Sequence, residues 1–124
     1  MKVLIADDQA EVRSALKVLL EHENGSYILD EAEEIDSLLF KAEHTCPDLV
    51  LLDWELSNRI MAEIVPLLRR LVPGLRIIAM SGRPEAARAA MEAGADAFVS
   101  KGENSDRLLG TIHDMKDKTG HPAR

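Results

Sequence analysis

Five side chains of this sequence could share one chemistry: three carboxylates, a hydroxyl and an ammonium group. Each follows a short apolar segment, and the five are Asp7, Asp8, Asp53, Ser81 and Lys101. Unit charges about 4 Å apart interact by roughly 4 kcal/mol at an effective dielectric near 20, so three clustered carboxylates resist ionising together. The Lys101 ammonium, or a hard divalent ion with oxygen ligands, would offset that repulsion. A carboxylate held beside such cations is a nucleophile suited to phosphoryl transfer.

Each of these residues alone also has a simpler explanation. Asp8, with Glu11 three residues later, fits a helix capping box. Asp53 could stand where a strand meets water, Ser81 could belong to a turn, and Lys101 could be an exposed charge. The case for chemistry therefore rests on whether the fold brings all five together.

The apolar segments before these residues are typical of strands buried on both faces of a sheet. Strand followed by helix, five times over, predicts a parallel sheet with helices on both faces. Function in such sheets collects at the carboxyl ends of the strands, where the five side chains stand. The predicted strands are Val3–Ala6, Leu49–Leu52, Ile77–Met80 and Ala97–Val99, with Tyr27–Leu29 as a weaker candidate nearer an edge.

The helices between these strands are predicted from apolar residues at helical spacing. Asn24–Gly25 is predicted to end the first helix, Pro84 to open the fourth and Gly94 to close it. Pro66 lies inside the third pattern, so that helix either kinks there or begins near residues 63–65 with Pro66 in its first turn. The defining apolar residues are Val12, Ala15, Leu16, Leu19 and Leu20; Leu38, Leu39 and Ala42; Ile60, Ile64, Leu67, Leu68 and Leu71; Ala87, Ala90 and Met91; and Leu108, Leu109, Ile112 and Met115.

The length of 124 residues fits one domain, predicted over residues 1–118 with a tail or linker at 119–124. The 46% hydrophobic and 30% charged residues are typical of a globular protein. A net charge of −7 and 3% aromatic residues argue against nucleic-acid binding. Cys46, the single cysteine, is expected to pack where a strand begins. No apolar run is long enough to span a membrane and Asp7 comes too soon for a secretory signal, so a cytoplasmic location is expected.

Four segments, in this order, resemble the motifs of the receiver domain of two-component response regulators. They are VLIADD (3–8), PDLVLLD (47–53), IIAMSG (77–82) and AGADAFVSK (93–101). The resemblance covers the chain from Met1 to about Lys118. It implies a flavodoxin-like α/β fold, a three-layer sandwich whose five-stranded parallel sheet has the order 2-1-3-4-5.

The resemblance also implies a role for each residue of the site. Asp53 would accept a phosphoryl group. Asp8 and Asp53 would ligate Mg²⁺ directly, Asp7 would act largely through water, and the backbone carbonyl of Glu55 would complete the protein ligands. Lys101 would bind the phosphoryl oxygens and neutralise charge.

The same resemblance implies a switch and its partners. Ser81 would move in to hydrogen-bond the phosphoryl group and Phe98 would occupy the aromatic switch position, although a single ring in an aromatic-poor core is more often there for packing. The phosphoryl donor would be a sensor histidine kinase or a phosphotransfer protein. Output to a downstream effector, or through a homodimer, would use the face of the fourth helix, fifth strand and fifth helix, with Arg88, Asp96 and Arg107. No direct contact with nucleic acid or membrane is expected.

Two positions depart from the family pattern. Receivers usually carry Pro-Gly where this chain has Ser57 and Asn58, so the loop after the third strand is expected to be less constrained. Gly102 follows Lys101 where the family has a cis-proline. A trans bond is expected here, because a cis bond to a residue other than proline costs about 2.5–4 kcal/mol. Neither change removes a chemical group, so the site is expected to be competent.

Two neighbours of the site add expectations of their own. Glu55 and Arg83 lie two residues after Asp53 and Ser81, and their pairing is expected to shield the phosphoryl group from water. Trp54, the single tryptophan, directly follows Asp53, so its emission should report charge changes there.

Other function classes are weighed against this interpretation. A phosphorylation-independent protein-binding module of the same fold is favoured slightly by the changed loop and disfavoured by the intact set of five residues. A small phosphatase would need a general acid two residues after Asp53, and the resemblance gives Glu55, which stands there, a backbone role. A nucleotide-binding function lacks a glycine-rich loop after the first strand.

Overall fold

Five strands and five helices alternate along the part of the chain that the structure describes. The structure is a computed structural model and describes residues 1–23, 27–57 and 60–119, with the backbone alone for 117–119. The strands are β1 (Lys2–Ala6), β2 (Ile28–Ala32), β3 (Leu49–Asp53), β4 (Arg76–Ser81) and β5 (Ala97–Ser100). The helices are α1 (Ala10–Glu21), α2 (Ile35–Thr45), α3 (Met61–Leu71), α4 (Ala86–Glu92) and α5 (Ser105–Thr119).

The strands form one sheet in the order β2-β1-β3-β4-β5, which confirms the predicted flavodoxin-like topology. Every pairing is parallel, so the carboxyl ends of the strands meet at one edge. At that edge Asp53 lies opposite Met80, and Ser81 lies opposite Ser100. The weak strand predicted near Tyr27 is β2, at an outer edge of the sheet as expected.

Two apolar clusters, one on each face of the sheet, hold the helices in place. Alternate residues of β1 show the division, because successive side chains of a strand point to opposite faces. Val3 and Ile5 pack in the cluster that includes α1 and α5, whereas Leu4 and Ala6 pack in the cluster that includes α2, α3 and α4. The result is the predicted sandwich of three layers, with a core that is mainly aliphatic and includes Trp54 on the face of α2, α3 and α4.

All five predicted helices are present, with differences at their ends. Ile60 is the N-cap of α3 and is 66% exposed, so it is not part of the apolar face. Pro66 lies inside α3, and the alternative that places it in the first turn is wrong. Burial of the α3 apolar face holds the helix together across the missing N–H of Pro66. Helix α4 begins at Ala86, two residues after Pro84, and Gly94 follows its C-cap with a φ of 107°, as predicted for the closing glycine.

At two other places a simple local interpretation fails: the capping box offered as an alternative for Asp8 does not form, and the prediction for Cys46 is wrong. The N-cap of α1 is Gln9, so Asp8 lies one residue before the cap and Glu11 is the second helical residue, and the spacing of a capping box is absent. Cys46 does not pack against the strand that follows. It is exposed, with a φ of 48° as the C-cap of α2, and Pro47 is the buried residue there.

Further expectations concern the connections between elements, the C-terminal tail and membrane spans. The described residues contain no cis peptide bond, so Lys101–Gly102 is trans as expected. The predicted helix end at Asn24–Gly25, the substituted loop position Asn58 and the tail from residue 120 onward lie outside the described residues. Within the described ranges, no helix combines the length and the apolar character needed to cross a bilayer.

Candidate functional site

The carboxyl edge of the sheet brings together the ends of four strands. Asp7 directly follows β1, Asp53 and Ser81 are the last residues of β3 and β4, and Lys101 directly follows β5. Backbone hydrogen bonds continue past the strand ends: Trp54 N donates to Met80 O at 2.7 Å, and Lys101 N donates to Ser81 O at 2.8 Å. The loops that carry the site are therefore fixed to the sheet where they begin.

Three carboxylates form the centre of this edge. One oxygen each from Asp7, Asp8 and Asp53 lies within 4.8 Å of the other two. Asp7 is 2% exposed and Asp53 3% exposed, whereas Asp8 is exposed to solvent. Close oxygen donors of this kind are the ligands that Mg²⁺ and Ca²⁺ prefer, so the cluster fits a hard divalent cation.

Lys101 supplies positive charge to the cluster. Its Nζ lies 2.8 Å from Asp7 Oδ2 and 3.2 Å from Asp53 Oδ1. Burial acts to lower the pKa of Lys101, but its bonds to Asp7 and Asp53 outweigh that effect, and the pKa is raised overall. Lys101 thus stays protonated and offsets one of the three carboxylate charges.

The carboxylate of Asp53 is held in an environment that disfavours its charge. Burial raises the pKa of Asp53, and the nearby charge of Asp7 adds to the rise. The backbone N–H of Glu55, which donates to Asp53 Oδ1 at 3.0 Å, and the ammonium of Lys101 oppose the rise without cancelling it. Further positive charge at this point would therefore stabilise the ionised form of Asp53.

A second group of side chains lies beside the cluster. The hydroxyl of Ser81 donates to the carboxylate of Glu55, with Oγ 2.9 Å from Oε1 and 2.7 Å from Oε2. Arg83 contacts both partners, because its backbone N donates to Ser81 Oγ at 3.0 Å and its Nη2 lies 3.2 Å from Glu55 Oε2. The predicted pairing of Glu55 with Arg83 is confirmed. The bond from Ser81 to Glu55 joins residues 26 apart, and no local pattern in the sequence signals it.

The residues predicted for the switch and the output face lie in three different environments. Phe98 is partly buried on β5 and packs against the apolar cluster that includes α4. Arg88 and Arg107 are exposed and pair with acidic neighbours four residues away on the chain. Asp96 differs from both arginines, because its Oδ2 accepts from Ile77 N at 2.8 Å and lies 2.8 Å from Arg69 Nη2. Its carboxylate is committed to contacts within the fold, which sequence reasoning missed.

Arg13 is a further residue that sequence reasoning missed. Its Nη1 donates to the backbone carbonyl of Asp7 at 2.7 Å, and its Nε donates to Glu31 at 2.8 Å. The side chains of Lys17 and Arg13 bond to Glu31 and lower its pKa. This network joins α1 to β2 and fixes the backbone of Asp7 through its carbonyl oxygen. An arginine at this position of an amphipathic helix gives no sequence signal for such a role.

The sequence is similar to known signalling proteins. The family model of the response regulator receiver domain matches residues 3–113. BvgA of Bordetella pertussis, which is named as a transcription regulator of virulence factors, is 36% identical over 110 residues, covering 87% of this chain and 52% of that protein. This chain thus spans about half the length of the curated relatives it matches.

Solved structures with the same fold agree with the sequence match. A receiver domain protein described as CheY-like, from Methanospirillum hungatei, superposes with a TM-score of 0.82 at 29% identity, covering 94% of each chain. The response regulator TrrA of Thermotoga maritima, in complex with Mg²⁺ and BeF, superposes with a TM-score of 0.81 at 27% identity, covering 92% of this chain and 97% of that one. The architecture and the sequence therefore point to one family.

Proposed function

This chain belongs to the response regulator receiver domain family of two-component signalling systems, and within it we propose that Asp53 is the phosphoacceptor. The observation that carries the proposal is the buried Asp53 carboxylate at the carboxyl edge, contacted by Lys101 and close to two further carboxylates. The phosphorylation-independent binding module is not favoured, because it has no use for buried like charges placed together.

The geometry of Asp53 suits it to nucleophilic attack. The N–H of Glu55 and the ammonium of Lys101 both contact Oδ1, which leaves Oδ2 as the oxygen to attack. In the proposed step Oδ2 forms a bond to the phosphorus of a phosphohistidine, the phosphorus–nitrogen bond breaks, and its electron pair stays on the imidazole. Lys101 then turns from the carboxylates to the new phosphoryl oxygens. The chain acts as the acceptor in this transfer, and no turnover of a separate substrate is proposed.

The cluster fits Mg²⁺, because its three close carboxylates are hard oxygen donors with incomplete charge neutralisation. Asp8 and Asp53 would hold the ion directly, Asp7 largely through water, and the backbone carbonyl of Glu55 would complete the protein ligands. When bound, such an ion neutralises charge on the phosphoryl oxygens. The complex of the similar Thermotoga protein with Mg²⁺ and BeF supports this choice of ion.

The proposed partners follow from the family. A sensor histidine kinase or a phosphotransfer protein would supply the phosphoryl group. Ser81 and Phe98 would transmit its arrival to the face formed by α4, β5 and α5, which would bind a downstream effector or a second copy of this chain. The curated relatives are about twice as long as this chain, and the proposal concerns the receiver domain alone.

The test is the intact mass of the protein after incubation with Mg²⁺ and a small acyl phosphate. The wild type should gain one phosphoryl group, and removal of Mg²⁺ with a chelator should prevent the gain. Asp53→Asn should gain none, whereas Asp48→Asn, a matched control at the other end of β3, should behave as wild type. No gain by a folded wild-type protein that binds Mg²⁺ would contradict the proposal and support the binding module.

A further inference from the structure

The hydroxyl of Ser81 is fully committed where it lies. Ser81 is completely buried, and its Oγ lies within 2.9 Å of both carboxylate oxygens of Glu55. Its oxygen also accepts the backbone N–H of Arg83 at 3.0 Å. A serine hydroxyl has one proton to donate, so a hydroxyl bonded to Glu55 cannot at the same time donate to a group on Asp53.

We infer that Glu55 is a positioning residue that holds Ser81 away from the phosphoryl site until Asp53 is modified. The inference rests on the proposed function, in which Ser81 donates to the phosphoryl group on Asp53. Hydrogen bonds to an ionised acceptor are roughly twice as strong as neutral ones. In the unmodified protein the Ser81 proton has such an acceptor in Glu55, whereas Asp53 Oδ1 already accepts from Glu55 N and Lys101.

Phosphorylation would change that competition in two ways. The phosphoryl group adds new anionic oxygens that extend beyond the Asp53 carboxylate and can accept the Ser81 proton in place of Glu55. Glu55 also follows Asp53 by two residues and its backbone N–H contacts Asp53 Oδ1 at 3.0 Å, so negative charge added to Asp53 would repel the Glu55 carboxylate. Ser81 then exchanges one charged acceptor for another.

The surroundings of Glu55 make its release inexpensive. Its side chain is 39% exposed, so water can replace the lost hydroxyl, and Arg83 remains 3.2 Å away as an ionic partner. Neither position of Ser81 thus leaves a buried charge without a partner. Two nearly balanced arrangements of this kind are what a ligand can shift from one to the other.

The exchange predicts a specific pattern of ligand affinities. Binding of beryllofluoride, a mimic of the phosphoryl group, is measured by calorimetry at saturating Mg²⁺. Glu55→Ala should tighten binding about tenfold, because no carboxylate then competes for the Ser81 proton. Glu55→Gln, which keeps an acceptor oxygen without the charge, should lie between Glu55→Ala and the wild type.

The deciding comparison repeats Glu55→Ala in a Ser81→Ala background. Most of the tightening should be lost there, because no hydroxyl remains to be released and only the relief of charge repulsion is left. Equal tightening in both backgrounds would mean that Glu55 acts only by charge repulsion, which overturns the inference and leaves the proposed function intact. Absence of beryllofluoride binding to a wild-type protein that binds Mg²⁺ would overturn the proposed function, and the inference with it.

Discussion

The two edges of the sheet both carry aspartates, but in opposite electrostatic circumstances. At the carboxyl edge three carboxylates lie together, and among the described residues the ammonium of Lys101 is the cationic group in contact with them. At the amino edge Asp96 lies between two guanidinium groups, with Arg69 Nη2 at 2.8 Å and Arg76 Nη1 at 3.7 Å. Negative charge is therefore in excess around Asp53 and balanced around Asp96.

Backbone contacts at the amino edge show what the aspartates there do. Asp96 Oδ2 accepts from Ile77 N at 2.8 Å, which ties the start of β5 to β4. Asp48 Oδ2 accepts from Lys2 N at 2.8 Å, which ties the start of β3 to β1. Both carboxylates join strands; the charge of Asp96 is balanced by arginines, whereas Asp48 is a single exposed carboxylate. The comparison teaches that an aspartate at a strand end marks a binding site only where the surrounding charge is left unbalanced.

The largest expected difference between the two edges is in Mg²⁺ affinity, which substitutions at the carboxyl edge should change and a substitution at the amino edge should not. Mg²⁺ is titrated while the emission of Trp54 is recorded. Asp8→Ala should weaken binding about tenfold or more, and Asp53→Asn should weaken it because an amide is a poorer ligand for a hard cation. Lys101→Ala should bind at least as tightly as the wild type, since it removes a competing positive charge. Asp48→Asn, at the amino edge, should leave the curve unchanged.

Identical titration curves for the wild type, Asp8→Ala and Asp53→Asn would contradict Mg²⁺ binding at the carboxyl edge. Trp54 is 9% exposed and packed in the core, so its emission could stay constant even when Mg²⁺ binds. Calorimetry, which measures Mg²⁺ binding without the tryptophan, distinguishes the two outcomes.

The free energy of unfolding should depend on the amino edge, in particular on Asp96, more than on the carboxyl edge. Asp96→Ala removes the acceptor of the buried Ile77 amide and leaves Arg69 without its carboxylate, so the free energy of unfolding should fall by about 2–4 kcal/mol. Urea denaturation measures the change. Asp48→Ala, whose hydrogen bond to Lys2 is exposed, should lose about 1 kcal/mol or less. A loss for Asp96→Ala no larger than that for Asp48→Ala would contradict a structural role for the Asp96 contacts.

Neutralising Asp53 should instead stabilise the metal-free protein. Burial first, and then Asp7, raises the pKa of Asp53, so the folded state binds this proton more tightly than the unfolded chain does. The ionised carboxylate therefore lowers stability progressively as the pH rises above the ordinary carboxyl pKa of about 4. In the presence of a chelator at pH 7, Asp53→Asn should raise the free energy of unfolding by about 1 kcal/mol.

Two features of the Asp53→Asn prediction can be tested: the sign of the stability change and its dependence on pH. The gain of Asp53→Asn over the wild type should shrink as the pH is lowered towards 4, where wild-type Asp53 becomes protonated. A variant that is less stable than the wild type at pH 7, or a gain that does not change with pH, would show that the carboxyl edge is electrostatically satisfied.

The smallest expected effect concerns the ion pair of Glu55 and Arg83, beside the carboxylate cluster. Glu55 and Arg83 have side chains 39% and 58% exposed, so their ion pair should add at most about 1 kcal/mol to stability. If the pair shields the phosphoryl group, Arg83→Ala and Glu55→Ala should each speed dephosphorylation about threefold, equivalent to less than 1 kcal/mol in the barrier. Arg88→Ala, which breaks a more exposed pair with Glu92, is the control. Unchanged rates for both variants at the rim would exclude shielding.

Local sequence patterns predicted most of the architecture for identifiable reasons. Fully buried strands such as β3 are continuous aliphatic runs, and helices such as α5 repeat apolar residues at helical spacing. Strand and helix in alternation leave few topologies open, which is why the order of the sheet could be predicted. Predictions at element ends were weaker. Ile60 and Pro84 lie just outside the helices they were expected to join, because a cap depends on contacts beyond the local pattern.

The sequence by itself determined which side chains could meet: parallel strands must end together, so Asp7, Asp53, Ser81 and Lys101 had to stand at one edge. Only the tertiary structure decided which of them touch. Lys101 bridges Asp7 and Asp53, whereas Ser81 turns to Glu55, a partner 26 residues away. Hydrogen bonds between distant residues depend on differences of a few tenths of an ångström between backbone segments. Those differences are set by the packing of the whole core, and no local spacing in the chain encodes them.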